Sequence, residues 1–247
     1  VKYHVLASGS AGNCTVVESG GQFVIIDCGA SKRYLKQCFE SLKLDPLQAR
    51  ALLVTHAHSD HVKSLSMFRQ LPVYAPCELL SLSDEILVEP YEMFTVGPFS
   101  IEPLALSHDE PDTVGYILSD GCQRLVSVTD TGYLSQRNAE LIRDADYYIF
   151  ESNYDVAMLM NSDRPFSLKT RIVSDAGHLG NQQAGQALAA AVGPHTKEIV
   201  LAHISRECNT RQLAYDSLIE TFESYSIDPN RFKITAAGQF EMVDGGE

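Results

Sequence analysis

A chain of 247 residues that is 45% hydrophobic and 21% charged has enough apolar mass to bury a core without covalent staples. Its formal net charge of −13 excludes non-specific nucleic-acid binding through a generally basic surface, although a metal centre and a few cations can still dominate the field inside a cleft. Apolar runs such as Phe23-Val24-Ile25-Ile26 are far too short to span a bilayer, and six cysteines without a CxxC spacing point to a reducing, cytoplasmic setting.

The N-terminus opens directly on strand-like residues, Tyr3-His4-Val5-Leu6-Ala7, with no signal-peptide pattern. The small-residue turn Ser8-Gly9-Ser10-Ala11-Gly12-Asn13 follows. It is not a GxGxxG running into a helix, so a dinucleotide fold is rejected. Residues 14–18 and 22–26 predict a hairpin about Ser19-Gly20-Gly21 that ends in Asp27-Cys28-Gly29. Residues 31–42 carry Tyr34, Leu35, Cys38, Phe39 and Leu42 at helical spacing, with Ser31 as the cap.

The apolar run Ala51-Leu52-Leu53-Val54-Thr55 delivers His56-Ala57-His58-Ser59-Asp60-His61. A helix is expected over 62–71, with Leu65 and Phe68 inward and Pro72 beyond its end. Short strands fill 73–105. A hairpin of 114–118 and 124–128 turns at Asp120-Gly121 and ends in Thr129-Asp130-Thr131-Gly132. A buried strand over 147–150 runs into Glu151-Ser152-Asn153, and 155–173 is helical in part. After Gly177-His178-Leu179-Gly180-Asn181 comes an Ala-rich helix with Ala184, Leu188, Ala191 and Val192 on one face, stopped by Gly193-Pro194. A strand at 199–202 precedes His203. A helix over 213–222 and short strands near 232–234 and 240–242 complete the chain. Two strand-rich halves with interspersed helices predict two sheets face to face with helices outside, in a single domain over 1–247.

Three imidazoles and a carboxylate within six residues are hard to reconcile with packing, because burying them side by side would leave ring nitrogens without partners. On a loop leaving a strand they can converge on a divalent cation. Asp27, Asp130 and His203 also follow strands directly, the place where a rigid scaffold presents catalytic groups.

His56-Ala57-His58-Ser59-Asp60-His61 resembles the HxHxDH signature of the metallo-β-lactamase-fold hydrolases, and Asp27, His108, Asp130 and His203 fall in that family's order. The resemblance implies an α/β fold, an αββα four-layer sandwich with a dinuclear site at one edge of the sheets. His56, His58 and His108 would hold one metal, and Asp60, His61 and His203 the second. Asp130 would bridge, while Asp27 would orient the histidine loop by hydrogen bonds. Two divalent ions, zinc, manganese or iron, are the implied cofactors. Such a pair activates a hydroxide nucleophile and leaves a positive centre suited to an anionic phosphodiester.

His178 is placed like a histidine of the ribonuclease Z-like branch that donates a proton to the leaving oxygen. An alkoxide leaving group needs such help. The stretches 8–14, 177–181 and 201–210 look like the bacterial YycJ/WalJ branch, whose members are described as 5′→3′ exonucleases acting on DNA. Gly180 departs from that branch, where Ser is commoner. The interval from Asp130 to His203 is too short for a β-CASP insertion. The expected activity is therefore metal-dependent phosphodiester hydrolysis, with DNA preferred over RNA, Asp60 and His178 as catalytic residues, and Asn13, Asn181, Ser205 and Arg206 at the substrate. A small-molecule hydrolase of the same fold, cleaving a thioester, lactone or cyclic phosphodiester, is the alternative.

Overall fold

The structure is a computed structural model that describes residues 1–80 and 84–247. The first half supplies strands β1 (Lys2–Ala7), β2 (Cys14–Ser19), β3 (Gln22–Ile26), β4 (Leu52–Leu53), β5 (Val73–Ala75) and β6 (Ile86–Leu87). The second supplies β7 (Phe94–Val96), β8 (Phe99–Ala105), β9 (Val114–Ser119), β10 (Arg124–Val128), β11 (Tyr147–Glu151), β12 (Glu198–Ala202) and β13 (Lys233–Ala236). A last strand, β14 (Val243–Gly246), returns to pair antiparallel with β1. The sheets are therefore β14-β1-β2-β3-β4-β5-β6 and β13-β12-β11-β10-β9-β8-β7.

Alternation along the strands makes the layers. Val17, Val24, Ile26 and Leu53 of the first sheet meet Ile101, Tyr116, Leu125 and Ile149 of the second in a shared core. The alternate residues Val16, Phe23 and Ile25 pack outward against Leu35, Cys38 and Phe39 of helix α1 (Lys32–Leu42). On the far side, Val126, Tyr148 and Phe150 pack against Leu188 and Phe222, from two helices of the second half. Strands buried on both faces read as continuous apolar runs, which is why β3, β10 and β11 stand out in the sequence. The result is the four-layer αββα sandwich.

Strands β3, β4 and β5 run parallel to one another, as do β10, β11, β12 and β13. The chain therefore leaves several strands at one edge of the sandwich, and Asp27, Asp130 and His203 each follow a strand there. All three adopt left-handed backbone, with φ of 59°, 61° and 52°. For non-glycine residues this costs about 1 kcal/mol or more each, and such strain gathers where side chains must be aimed. Gly29 has a different reason: a Cβ there would lie 1.5 Å from the carbonyl oxygen of Asp60, so only glycine lets the Asp27 loop reach the histidine loop.

Most elements fall where periodicity puts them. Gly20 and Gly21, at φ of 57° and 73°, make the two-residue turn of the β2–β3 hairpin. Ser31 Oγ accepts from Tyr34 N–H and caps α1. The helix expected over 62–71 is corrected: α2 spans Ser59–Val62, within the histidine motif, followed by a single 3-10 turn at Leu65–Met67. Ser64 N–H pairs with Cys28 O and its hydroxyl with Ala30 O, drawing the backbone into the Asp27 loop; Leu65 and Phe68 are nevertheless buried. The strand expected at 240–242 lies later, because β14 pairs with β1 and leaves only a bridge between Gly238 and Glu241. Val192 is the C-terminal cap of its helix and only half-buried. Helices α3 (Gln136–Leu141), α4 (Val156–Asn161), α5 (Phe166–Ile172), α6 (Asn181–Ala191) and α7 (Arg211–Ser224) complete the framework. All six cysteines are free thiols, and among the described residues no helix is long and apolar enough to cross a membrane.

Asp120 ties the two sheets: its carboxylate accepts from Ser19 Oγ at 2.7 Å and from the backbone N–H of Cys122 and Gln123 at 2.9 Å each. Partial burial opposes its charge, but the Ser19 bond and the two backbone donors outweigh it and hold the carboxyl down at about 2. Because the folded value lies below the unfolded one of about 3.9, the contribution is present above pH 4 and fades as pH falls toward 2. Asp120→Ala should lower Tm at pH 7, with the gap to the wild type narrowing between pH 4 and pH 3 in thermal melts. A gap that stays constant over that range would contradict the assignment.

Candidate metal centre

The histidine loop is held from behind. Asp27 Oδ1 accepts from the Thr55 backbone N–H at 2.9 Å, and Oδ2 lies 2.7 Å from His61 Nδ1. Thr55 Oγ1 bonds Asp27 and stands 3.0 Å from His56 Nδ1. Cys28 N–H donates to His61 O, and Asn13 N–H to Asp60 O. With its Nδ1–H on Asp27, His61 turns Nε2 toward Asp130 Oδ2 at 3.2 Å and Asp60 Oδ2 at 3.7 Å. An outer partner of this kind fixes tautomer and ring orientation at a metal-binding histidine.

The same arrangement recurs across the site. His108 donates Nδ1–H to Gly177 O at 3.1 Å, which leaves Nε2 facing inward, 3.9 Å from Asp130 Oδ1. His203 places Nδ1 2.8 Å from Glu151 Oε1, and its Nε2 is buried without any hydrogen-bond partner among the described residues. Asp130 Oδ2 is likewise sealed from water and lacks a hydrogen bond among the described residues. Two orphaned polar atoms in one small volume are costly unless something absent from protein chemistry meets them.

The donor sets fit a divalent cation. His56, His58 and His108 offer nitrogens within 4.8 Å of one another, as do the ligand atoms of Asp60, His61 and His203; Asp130 groups with His56 and His61 and also with Glu151, His178 and His203. Two of these groupings contain the residues that the resemblance assigned to separate ions, and Asp130 belongs to the other two.

The electrostatics agree with a site built to receive positive charge. Burial depresses His56, reinforced by the neighbouring His61, so the ring is neutral as a metal ligand must be. Burial also lowers His108, against the pull of Asp130. Burial opposes the charge on His61, yet Asp27 and Asp130 drive it well up. For His203 burial again lowers, but Asp130 and the Glu151 hydrogen bond prevail and raise it to about 9. Burial alone would raise Asp130, yet the charges of His203 and His61 hold it well below the usual carboxylate range. The buried carboxylates therefore favour positive charge at His61 and His203, the charge that a bound cation would supply.

His178 joins the cluster. Its ring lies 5.1 Å from His108 and 5.3 Å from His203, with Nδ1 2.9 Å from Glu151 Oε1. Glu151, at 0% exposure, was not singled out by the sequence. It serves both histidines and also accepts from the backbone N–H of Thr131 and Leu179 at 3.1 Å each. Burial would raise its carboxyl, but His178 and then His203 hold it low. The available signal was its position, a carboxylate closing a buried strand just as Asp27 and Asp130 follow theirs. Thr55 and Asn153, whose Nδ2 donates to His203 O at 2.8 Å, were also passed over.

The four proposed substrate residues separate. Asn13 abuts the centre, with Nδ2 3.0 Å from His61 Nε2. Asn181 is buried and bonded to Ser152 Oγ and Asn209 Nδ2, a tie between loops. Ser205 Oγ accepts from Cys208 N–H. Ser205 and Arg206 line a hollow of about 360 Å³, and Arg206 is exposed.

Residues 22–204 match the Beta-lactamase superfamily domain. The chain is 34% identical over 234 residues to the exodeoxyribonuclease YycJ of Bacillus anthracis, covering 90% of this chain and 89% of that one. It is 32% identical over 233 residues to the exodeoxyribonuclease WalJ of Streptococcus pneumoniae, covering 88% and 87%. In three dimensions it is similar to the metallo-β-lactamase fold protein YhfI from Bacillus subtilis, with a TM-score of 0.74 at 19% identity over 99% of each chain.

Glu151→Gln keeps the size of the side chain and removes the charge that orients His178 and His203. It should weaken zinc or manganese binding roughly 10- to 100-fold, read by titration of the stripped protein. Unaltered affinity at every site would show that Glu151 acts on folding alone.

Proposed function

On the premise that the chain belongs to the metallo-β-lactamase superfamily and its YycJ/WalJ branch, we propose that it is a dinuclear-metal-dependent phosphodiesterase acting as a DNA exonuclease, with the 5′→3′ polarity that the branch implies. The observation that carries this reading is Asp130. Its buried carboxylate groups with His56 and His61 and again with Glu151, His178 and His203, and one of its oxygens has no hydrogen bond among the described residues. The curated relatives bearing exodeoxyribonuclease names supply the substrate class.

His56, His58 and His108 would hold one divalent ion and Asp60, His61 and His203 the other, with the Asp130 carboxylate available to both. Two such ions, when bound, supply a water acidified to near-neutral pH and Lewis-acid stabilisation of the phosphate oxygens. Asp27 and Thr55 keep His56 and His61 in their ligating orientation. Glu151 Oε1 accepts from His178 Nδ1–H at 2.9 Å and so fixes the orientation of the ring. His178 Nε2 has no hydrogen-bond partner among the described residues and, unlike His203 Nε2, is not sealed from water. His178 can therefore present a proton from Nε2 to the oxygen leaving phosphorus.

The role of each residue is separable. His178→Ala should slow cleavage of end-labelled DNA by 100-fold or more, about the worth of one general acid, while metal content measured by elemental analysis stays at the wild-type level. Asp60→Ala should lose both activity and part of the metal. Full activity in His178→Ala would remove the proton-donor role. Rapid turnover of a thioester, lactone or cyclic phosphodiester without cleavage of DNA would move the whole reading to the small-molecule alternative.

A further inference from the structure

Beside the metal centre lies a cavity of about 390 Å³ lined by Ser10, Ala11, Arg164, Arg206 and Glu207. Its two main walls are the 8–13 turn and the loop that follows His203. They are joined at the root, where His203 N–H donates to Ser8 Oγ at 2.7 Å. The turn is braced by Gln239, whose Nε2 donates to Gly12 O at 2.9 Å and whose Oε1 accepts from Ala11 N–H at 3.0 Å. Asn13 then fastens it to Asp60 and His61. Both walls are thus fixed to metal-site elements, and a group held between them has a set position relative to the reacting phosphorus.

The donors facing this space are uncommitted. Among the described residues Arg206 makes no hydrogen bond or ion pair, and neither the hydroxyl nor the backbone N–H of Ser10 has a partner. Arg164 is shared with Glu207, Nε to Oε2 at 3.0 Å, a pair in which Glu207 is well exposed. Two guanidiniums against one carboxylate leave the cavity with a positive balance on a chain whose net charge is −13. An electropositive hollow with a guanidinium fork and hydroxyl and amide donors matches a tetrahedral oxyanion.

Resting on the nuclease reading above, we propose that this cavity seats a phosphate of the bound strand other than the one being cleaved, with Arg206 as its principal contact and Ser10 and Arg164 beside it. The phosphate comes either from the strand's end, as a monoester, or from an internal linkage. Holding it fixes how far the strand advances past the metals and separates a polymer from a small diester.

The test uses the metal-loaded full chain and compares kcat/KM for an oligodeoxynucleotide with kcat/KM for bis(p-nitrophenyl) phosphate, which reaches only the metals. Arg206→Ala should lower that ratio roughly tenfold, as expected for one charge-assisted contact, mainly through KM for DNA; Arg206→Lys should recover part of it. Oligonucleotides ending in 5′-phosphate, 5′-hydroxyl and 3′-phosphate distinguish the sources. Preference for one phosphorylated end, lost in Arg206→Ala, identifies an end seat, whereas equal KM for all ends, raised together, identifies an internal one. Wild-type cleavage of DNA with an unchanged ratio in Arg206→Ala overturns the seat alone. Failure of the wild type to cleave DNA, with the small diester still hydrolysed, overturns the nuclease reading and the seat with it.

Discussion

The sealed carboxylate of Asp130 is the constraint on which the rest of the site depends. An anion at that depth is tolerated only if positive charge surrounds it, and His56, His61, His108, His178 and His203 gather within reach. Those rings cannot all be cations together without repelling one another, which is the opposition seen between His56, held neutral, and His61 and His203, driven to charge. A bound divalent cation would resolve this conflict by supplying localised charge while the ligating imidazoles stay neutral. The outer carboxylates Asp27 and Glu151 are placed to aim the rings.

The backbone accepts a cost to build this arrangement. Asp27, Asp130 and His203 turn through the left-handed region as their strands end, and the hydrogen bonds lacing the loops together hold them there. Gly29 lets Asp60 approach, and Ser8, Asn13 and Gln239 brace the turn that closes the far side. Both sheets contribute, so the site exists only when the sandwich is assembled.

This explains what could be read in the sequence. The His56–His61 cluster is local, and its spacing alone announces a metal. Buried strands such as β3 and β11 are apolar runs, and Ser31 caps α1 as its chemistry dictates. Asp27, Asp130, His108 and His203 become legible only through the family's order of residues, since each alone is an ordinary loop residue. Glu151 escaped notice because a carboxylate after Tyr147-Tyr148-Ile149-Phe150 looks like a strand emerging into water, and only the stacking of β11 beside β12 reveals that it is buried under His203. The helix over 62–71 failed for a similar reason. Its apolar spacing is genuine, but tertiary hydrogen bonds to Cys28 and Ala30 override the propensity.

The proposed bridging role of Asp130 is tested most directly by titrating metal-stripped protein with manganese or zinc while following cleavage of end-labelled DNA and bound metal together. Two ions acting jointly across Asp130 predict little cleavage at the first equivalent and a steep rise as the second is filled. Full cleavage in excess chelator, or activity complete at one equivalent with no second ion taken up, would contradict a dinuclear centre.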